Sequence, residues 1–303
     1  MRRLWLVLLV AGCDEGGVDR FSTSTQATTT PVTEPMVELD PDVDSYIPEH
    51  FPPANPERVV FLGDSITHGF GLENLDHSYV SLLVDNDEDE WPGHADNDLT
   101  SRFGALEVLD VSVDGATTDT LIADQLPVVD TSWGTGVTGE TIVVLTIGGN
   151  DLRDAVFEGG VLGDAVDSVV ANLGVIADFF QDADRFPDGA FIYIASVYEP
   201  TDTTGYVPEC FYGLNLSIAI PLFDQLGADS RILAKSRGFA MVDMRNHFVG
   251  HGFLHNEADG SWYHPDDPTL WFLDDCIHPN IRGHHEIRRL FLAAVDGQPL
   301  TLE

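Results

Sequence analysis

Three kinds of residue in this chain could together carry out acyl transfer. The first is Ser65, in the stretch Val-Val-Phe-Leu-Gly-Asp-Ser-Ile-Thr-His-Gly-Phe-Gly that runs from Val59 to Gly71. A serine hydroxyl at its free pKa is a poor nucleophile and needs a base within hydrogen-bond reach, itself oriented by a third group. His278, in Asp-Cys-Ile-His-Pro-Asn, is the candidate base. Asp275 stands three residues before it, a spacing that lets a carboxylate reach the imidazole Nδ1 within one turn, fixing the tautomer and stabilising the imidazolium. The third requirement is a set of donors for the developing oxyanion. The Ser65 N–H, the main chain at Gly115, where a substrate can approach closely, and the Asn150 amide could supply them. Each stretch also has an ordinary structural reading. Gly-Asp-Ser is a common strand-to-helix turn, Gly-Gly-Asn-Asp a tight turn, and Asp275 a capping residue in a loop that leads into a helix.

Other residues compete for the same roles. His68 lies three residues after Ser65, where a side chain in a starting helix points along a cleft wall and contacts substrate more readily than it acts as base. His247, His251 and His255 recur at four-residue spacing and could hold a metal on a continuous helix. Gly250 and Gly252 break that helix, so a loop of solvated or packed histidines is expected, with no metal and no cofactor. The acidic stretch 85–98 has the composition of a calcium loop but lacks the glycine that an EF-hand needs at its sixth position. It reads as a solvated insertion, with weak calcium binding as the alternative.

The elements that must position these groups follow from periodicity. Short apolar runs at Val59–Leu62, Leu106–Ser112, Thr141–Ile147, Phe191–Val197 and 239–244 read as strands. Between them lie stretches with helical spacing, the clearest at 161–181, 216–238 and 282–295. Strands that alternate with helices and are apolar on both faces predict an α/β fold with a parallel sheet of about five strands between helical layers. In such sheets ligands bind beyond the carboxyl ends of the strands. Ser65, Gly115 and Asn150 follow the first, second and third strands, and the Asp275–His278 segment precedes the last helix.

The ordered set Gly-Asp-Ser, Gly115 after the second strand, Gly-Gly-Asn-Asp after the third and Asp-Cys-Ile-His-Pro near the C-terminus resembles the SGNH (GDSL-like) hydrolase family. The resemblance covers about Arg58 to Val295. It implies a flavodoxin-like three-layer α/β/α sandwich and metal-free hydrolysis of esters or thioesters through an acyl-serine. It also implies Ser65 as nucleophile, His278 as base, Asp275 as its partner, and Ser65, Gly115 and Asn150 as the oxyanion hole. Three departures stand out: Asp110 where the family often has Asn, Ile66 for the usual Leu, and Asp114 where a small residue is common. A carboxylate at Asp114 disfavours an anion beside Gly115 unless its side chain points away. The segment Tyr198–Gly205 resembles the family's cleft-lining segment after the fourth strand.

Composition sets the context. The 303 residues include 51 acidic and 14 basic side chains, a formal net charge of -37. Such a surface repels phosphate backbones and anionic headgroups, so nucleic acid is excluded as a partner. Residues 1–12 have a basic start and a short apolar run, the layout of an export signal, too short to span a membrane. Val-Ala-Gly-Cys at its end resembles a bacterial lipobox, which implies a lipid anchor on Cys13 and a place in the cell envelope; secretion is the alternative. A Thr/Ser/Pro-rich linker is expected over 13–50 and the hydrolase domain over 51–303. In an exported protein a Cys210–Cys276 disulfide is plausible on compartment grounds. The expected activity is cleavage of carboxylic esters of lipids, glycans or small molecules. A thioesterase or lysophospholipase on the same site is an alternative, and so is a surface protein that binds a glycan without turning it over.

Overall fold

The computed structural model describes residues 45–49 and 51–298, all within the unit Asp40–Glu303. The export signal, Cys13 and most of the linker lie outside the described residues. Five strands form: β1 Pro56–Gly63, β2 Glu107–Asp110, β3 Glu140–Thr146, β4 Ala190–Ala195 and β5 Ala240–Val242. All neighbours pair in parallel, in the order β2-β1-β3-β4-β5. Val60, for example, sits between Leu109 on β2 and Val143 on β3. Ten α-helices accompany the sheet among the described residues: α1 Ser65–His68, α2 Tyr79–Val84, α3 Leu99–Phe103, α4 Thr118–Thr120, α5 Leu126–Trp133, α6 Gly149–Glu158, α7 Leu162–Phe180, α8 Ile220–Arg237, α9 Met244–Phe248 and α10 Ile281–Val295. A π-helical segment, Leu121–Gln125, joins α4 to α5.

The inner strands β1, β3, β4 and β5 are largely apolar because both faces are covered, whereas the edge strand β2 is mostly exposed. Successive residues point to opposite sides. Val59, Phe61, Ile142, Val144, Tyr193 and Val242 pack with Tyr79 and Leu83 of α2 and Ile287 and Phe291 of α10. Val60, Leu62, Val143, Leu145, Ile192, Ile194 and Met241 pack with Val129 of α5, Val169, Leu173 and Ile176 of α7, and Leu226 of α8. The result is a three-layer α/β/α sandwich with the strand order of flavodoxin-like folds. That order reverses direction between β1 and β3, so the crevice for a ligand opens where those two strands end.

Two elements differ from the sequence reading. β2 stops at Asp110 rather than Ser112, where the Asp110 carboxylate accepts from the Ser112 N–H (2.9 Å) and hydroxyl (2.7 Å). Ahead of β1, Tyr46 forms an isolated antiparallel bridge with Met241 of β5, the two exchanging hydrogen bonds of 2.9 and 2.7 Å. Gly149-Asn150-Asp151 does not form an isolated tight turn. It opens the ten-residue helix α6, entered through Gly148 at φ +108°.

Candidate active site

The position of Ser65 is built by a sharp exit from β1. Gly63 adopts φ +133°, and a Cβ there would meet the Thr146 carbonyl oxygen at 2.2 Å, so only glycine fits between β1 and β3. Asp64 then caps α1, its Oδ1 accepting from the Ile66 N–H at 3.0 Å. Ser65 is the first residue of that helix and sits at the carboxyl end of the sheet. Gln125, which the sequence reading missed, braces this turn. Its amide donates to the Gly63 carbonyl (2.7 Å), and its oxygen accepts from the Gly63 N–H (2.9 Å). The π-helical segment carries this side chain inward, a distortion of the kind often found at functional sites.

The last segment brings His278 to Ser65 across 213 residues of sequence. His278 Nε2 lies 2.9 Å from Ser65 Oγ, and His278 Nδ1 lies 2.6 Å from Asp275 Oδ2. The other oxygen of Asp275 accepts from the main-chain N–H groups of Ile277 (3.0 Å) and His278 (2.9 Å). Burial pushes the Asp275 carboxyl up, but the hydrogen bonds from His278 and Ile277 outweigh it and hold the group below the usual range, so it stays charged. Tyr198 donates to the Ile277 carbonyl at 2.8 Å, and the Phe70 ring packs 4.5 Å from the imidazole. The serine, histidine and aspartate singled out in sequence therefore form one continuous hydrogen-bonded relay.

Asn150 lines the same cavity as Ser65, and its amide reaches the residue after Gly115. Gly115 adopts φ +75°, with open space where a Cβ would stand. One hydrogen of the Asn150 amide donates to the Ala116 carbonyl at 2.9 Å, leaving the other for a ligand. Asp151 holds the same loop, accepting from the Thr118 N–H (3.1 Å) and hydroxyl (2.6 Å), while Asn172 donates to that hydroxyl and to Asp119. Asp114 does point away: its carboxylate accepts from His68 Nδ1 at 2.7 Å. His68 thus faces Asp114, and the Ser65 hydroxyl is held by His278.

The remaining histidines and cysteines are placed as follows. His247 pairs with Glu286 (2.9 Å), His251 with the Thr269 carbonyl (3.2 Å) and His255 with the Gly252 carbonyl (2.8 Å). Among the described residues no group of three or more histidine, cysteine, aspartate or glutamate side chains is placed to hold a metal ion. Cys210 and Cys276 form a disulfide with Cα atoms 5.6 Å apart. It ties the loop after Tyr198 to the residue next to Asp275.

Ser65 opens into a cavity of about 160 Å³. Leu152, Val156 and Phe157 of α6 form one wall, Ile220, Leu222 and Phe223 of α8 another, and the stretch Val197–Thr201 a third. The Tyr198–Gly205 segment therefore lines the cleft, as its resemblance implied. Glu199 faces this space but is occupied, its carboxylate accepting from the Thr201 and Thr203 N–H groups.

A parallel sheet with this strand order, carrying a serine, histidine and aspartate relay at its carboxyl edge, defines an ester-hydrolase architecture. Residues 61–286 match the GDSL-like lipase/acylhydrolase family, and the chain belongs to that family and is an ester-hydrolysing enzyme. No curated protein sequence matches it. Among solved structures, a variant of the acetyl xylan esterase Axe2 from Geobacillus stearothermophilus aligns with a TM-score of 0.54 at 19% identity, over 83% of this chain and 100% of that one. The acetyl xylan esterase AlAXEase gives 0.54 at 15%, over 78% and 99%. LAE5, an alpha/beta hydrolase enzyme from the metagenome of Lake Arreo in Spain, gives 0.50 at 22%, over 80% and 96%. At these identities the likeness is one of fold.

Proposed function

We propose that this chain is an exported carboxylesterase that works through an acyl-Ser65 intermediate and prefers acyl chains longer than acetyl. The observation that carries the reading is the Ser65–His278–Asp275 relay opening directly onto an apolar cavity. Ser65 Oγ attacks the ester carbonyl carbon as its proton passes to His278 Nε2, while the charged Asp275 stabilises the imidazolium. The Ser65 and Gly115 N–H groups and the free Asn150 N–H hold the oxyanion. The carbon–oxygen bond to the alcohol then breaks, with His278 returning the proton to the leaving oxygen. Water, deprotonated by the same imidazole, attacks the acyl-serine and releases the acid.

The cavity sets the acyl length. An apolar cavity of about 150 Å³ accommodates benzene, a six-carbon molecule, so the space here suits a chain of about six carbons. Each buried methylene contributes about 0.8 kcal/mol, about fourfold in binding. In a series of esters of one alcohol, kcat/KM should therefore rise at least ~10-fold from acetyl to hexanoyl. Ser65→Ala should lower kcat by ~10³ or more at every length. A maximum at acetyl would overturn the chain-length preference and favour the second reading, a carbohydrate deacetylase, which the acetyl xylan esterase neighbours support. Full activity in Ser65→Ala would overturn the nucleophile. Export and a lipid on Cys13 belong to the same proposal. The Cys210–Cys276 disulfide supports export, since such bonds persist in oxidising compartments, and mass spectrometry of the mature N-terminus tests both export and the lipid.

A further inference from the structure

The lobe that closes the cavity carries a second surface. Along 211–220 the residues divide between two destinations. Phe211, Leu216, Ala219 and Ile220 line the cavity, whereas Tyr212, Leu214 and Ile218 between them face solvent, Tyr212 fully and Ile218 at 75% of its area. Phe157, across the cavity on α6, does both, lining the space while remaining half exposed. Tyr206 adds a further exposed ring at the start of the lobe. An apolar rim thus surrounds the space that leads to Ser65.

This rim is held open. Phe211 and Tyr212 have φ of +50° and +58°, left-handed values that cost a non-glycine residue about 1–2 kcal/mol each. The Cys210–Cys276 disulfide fixes one side of the lobe to the catalytic segment. Hydrogen bonds from Leu216 N–H to the Gly205 carbonyl (2.7 Å) and from Gly213 N–H to the Cys210 carbonyl (2.8 Å) close its base. With the backbone so tied, the Tyr212 ring and the Ile218 side chain do not collapse onto the core. Backbone strain that persists with apolar side chains in solvent marks a surface built for contact.

Charge narrows the partner. The chain carries 51 acids, yet between Gly205 and Pro221 the only charged residue is Glu209. A molecule of net charge -37 is repelled by anionic surfaces, while an uncharged apolar rim loses nothing against a neutral one. The geometry points to a docking surface for electrically neutral, aggregated acyl lipid, from which one chain passes over the rim into the cavity. This inference rests on the acyl-cavity reading above and adds the physical state of the substrate to it.

The test compares the wild-type chain with a Tyr212→Ser, Ile218→Ser double variant, both in full length so that any N-terminal anchor contributes equally. The substrate is a short-chain phosphatidylcholine assayed below and above its critical micelle concentration. The wild type should show a rise in rate of fivefold or more on aggregation. The double variant should keep the rate on dissolved substrate and lose that rise. An equal rise in both, or none in the wild type, overturns the surface. No hydrolysis in either state would instead count against this class of ester as substrate. For that case a measurement without turnover decides: in a Ser65→Ala background, hydrogen exchange across 205–220 should slow severalfold when long-chain phosphatidylcholine vesicles are added. Unchanged exchange there overturns the docking surface by itself.

Discussion

Asp64, next to Ser65, shows how much one buried group shapes the response to pH. Burial is the main cause that pushes its carboxyl up to about 7, against the hydrogen bonds from Ile66 and Thr146, with nearby Asp151 adding to the rise. The unfolded group titrates near 3.8, so between that pH and about 7 the folded state holds a proton that the unfolded state has lost. Its contribution to stability is therefore fully present below pH 3.8 and declines as pH rises through 7. The span of shift sets an upper bound of about 4 kcal/mol. Asparagine mimics the protonated form and keeps an acceptor for the Ile66 N–H. Asp64→Asn should leave Tm nearly unchanged at pH 4 and raise it relative to wild type at pH 8, as read by calorimetry. A Tm difference that does not depend on pH would show that Asp64 does not titrate in this range. The triad was legible at this scale because each member sits in a short motif with its own chemical logic. The bond between Asp114 and His68 was not, because nothing in the spacing of residues 46 apart records that two loops meet.

At the scale of elements, the strand ends carry the site and Gln125 holds one of them in place. Removing its side chain leaves the buried Gly63 N–H without its partner, at about 1–3 kcal/mol, while the Gly63 carbonyl keeps the Val113 N–H at 3.1 Å. Gln125→Ala should accordingly lower stability by about 1–3 kcal/mol in urea titration, and kcat should fall with it while KM changes little, because Ser65 lies two residues beyond the braced glycine. An unchanged kcat in folded protein would show that the turn holds its shape unaided. All five strands were readable as short apolar runs, most clearly the continuous β-branched run at Thr141–Ile147, and α7 and α10 as helical spacing. The start of α6 was not, because Gly-Gly-Asn-Asp has the composition of a turn and only tertiary packing carries it into a helix. Gln125 carried one faint signal, a lone amide among the apolar residues of its helix. The cavity lobe carried none, since its residues follow neither helical nor strand period and its shape depends on a disulfide and loop hydrogen bonds.

The molecule as a whole is dominated by its charge. Fifty-one acids against fourteen bases repel one another in the compact state more than in the expanded one. Raising salt from about 10 mM to about 1 M shortens the screening length from ~30 to ~3 Å. Tm of the wild-type protein should rise by several degrees across that range in potassium chloride, followed by differential scanning calorimetry. A flat or falling Tm would mean that the acids are already neutralised by local pairing. Composition made this charge legible at once, and periodicity the α/β class, but neither marked the bridge of Tyr46 with Met241, which rests on main-chain groups that any residue could provide. The span between Ser65 and His278 has a further consequence, in time rather than space. Ser65 is among the first folded residues to leave the ribosome and His278 among the last, 213 residues later. In the acyl-serine mechanism proposed above, a nascent or prematurely terminated chain carries the serine without the group that would activate it. Under that mechanism hydrolysis begins only once synthesis has passed the final loop, and interrupted translation yields a chain with an inert hydroxyl rather than an unregulated esterase.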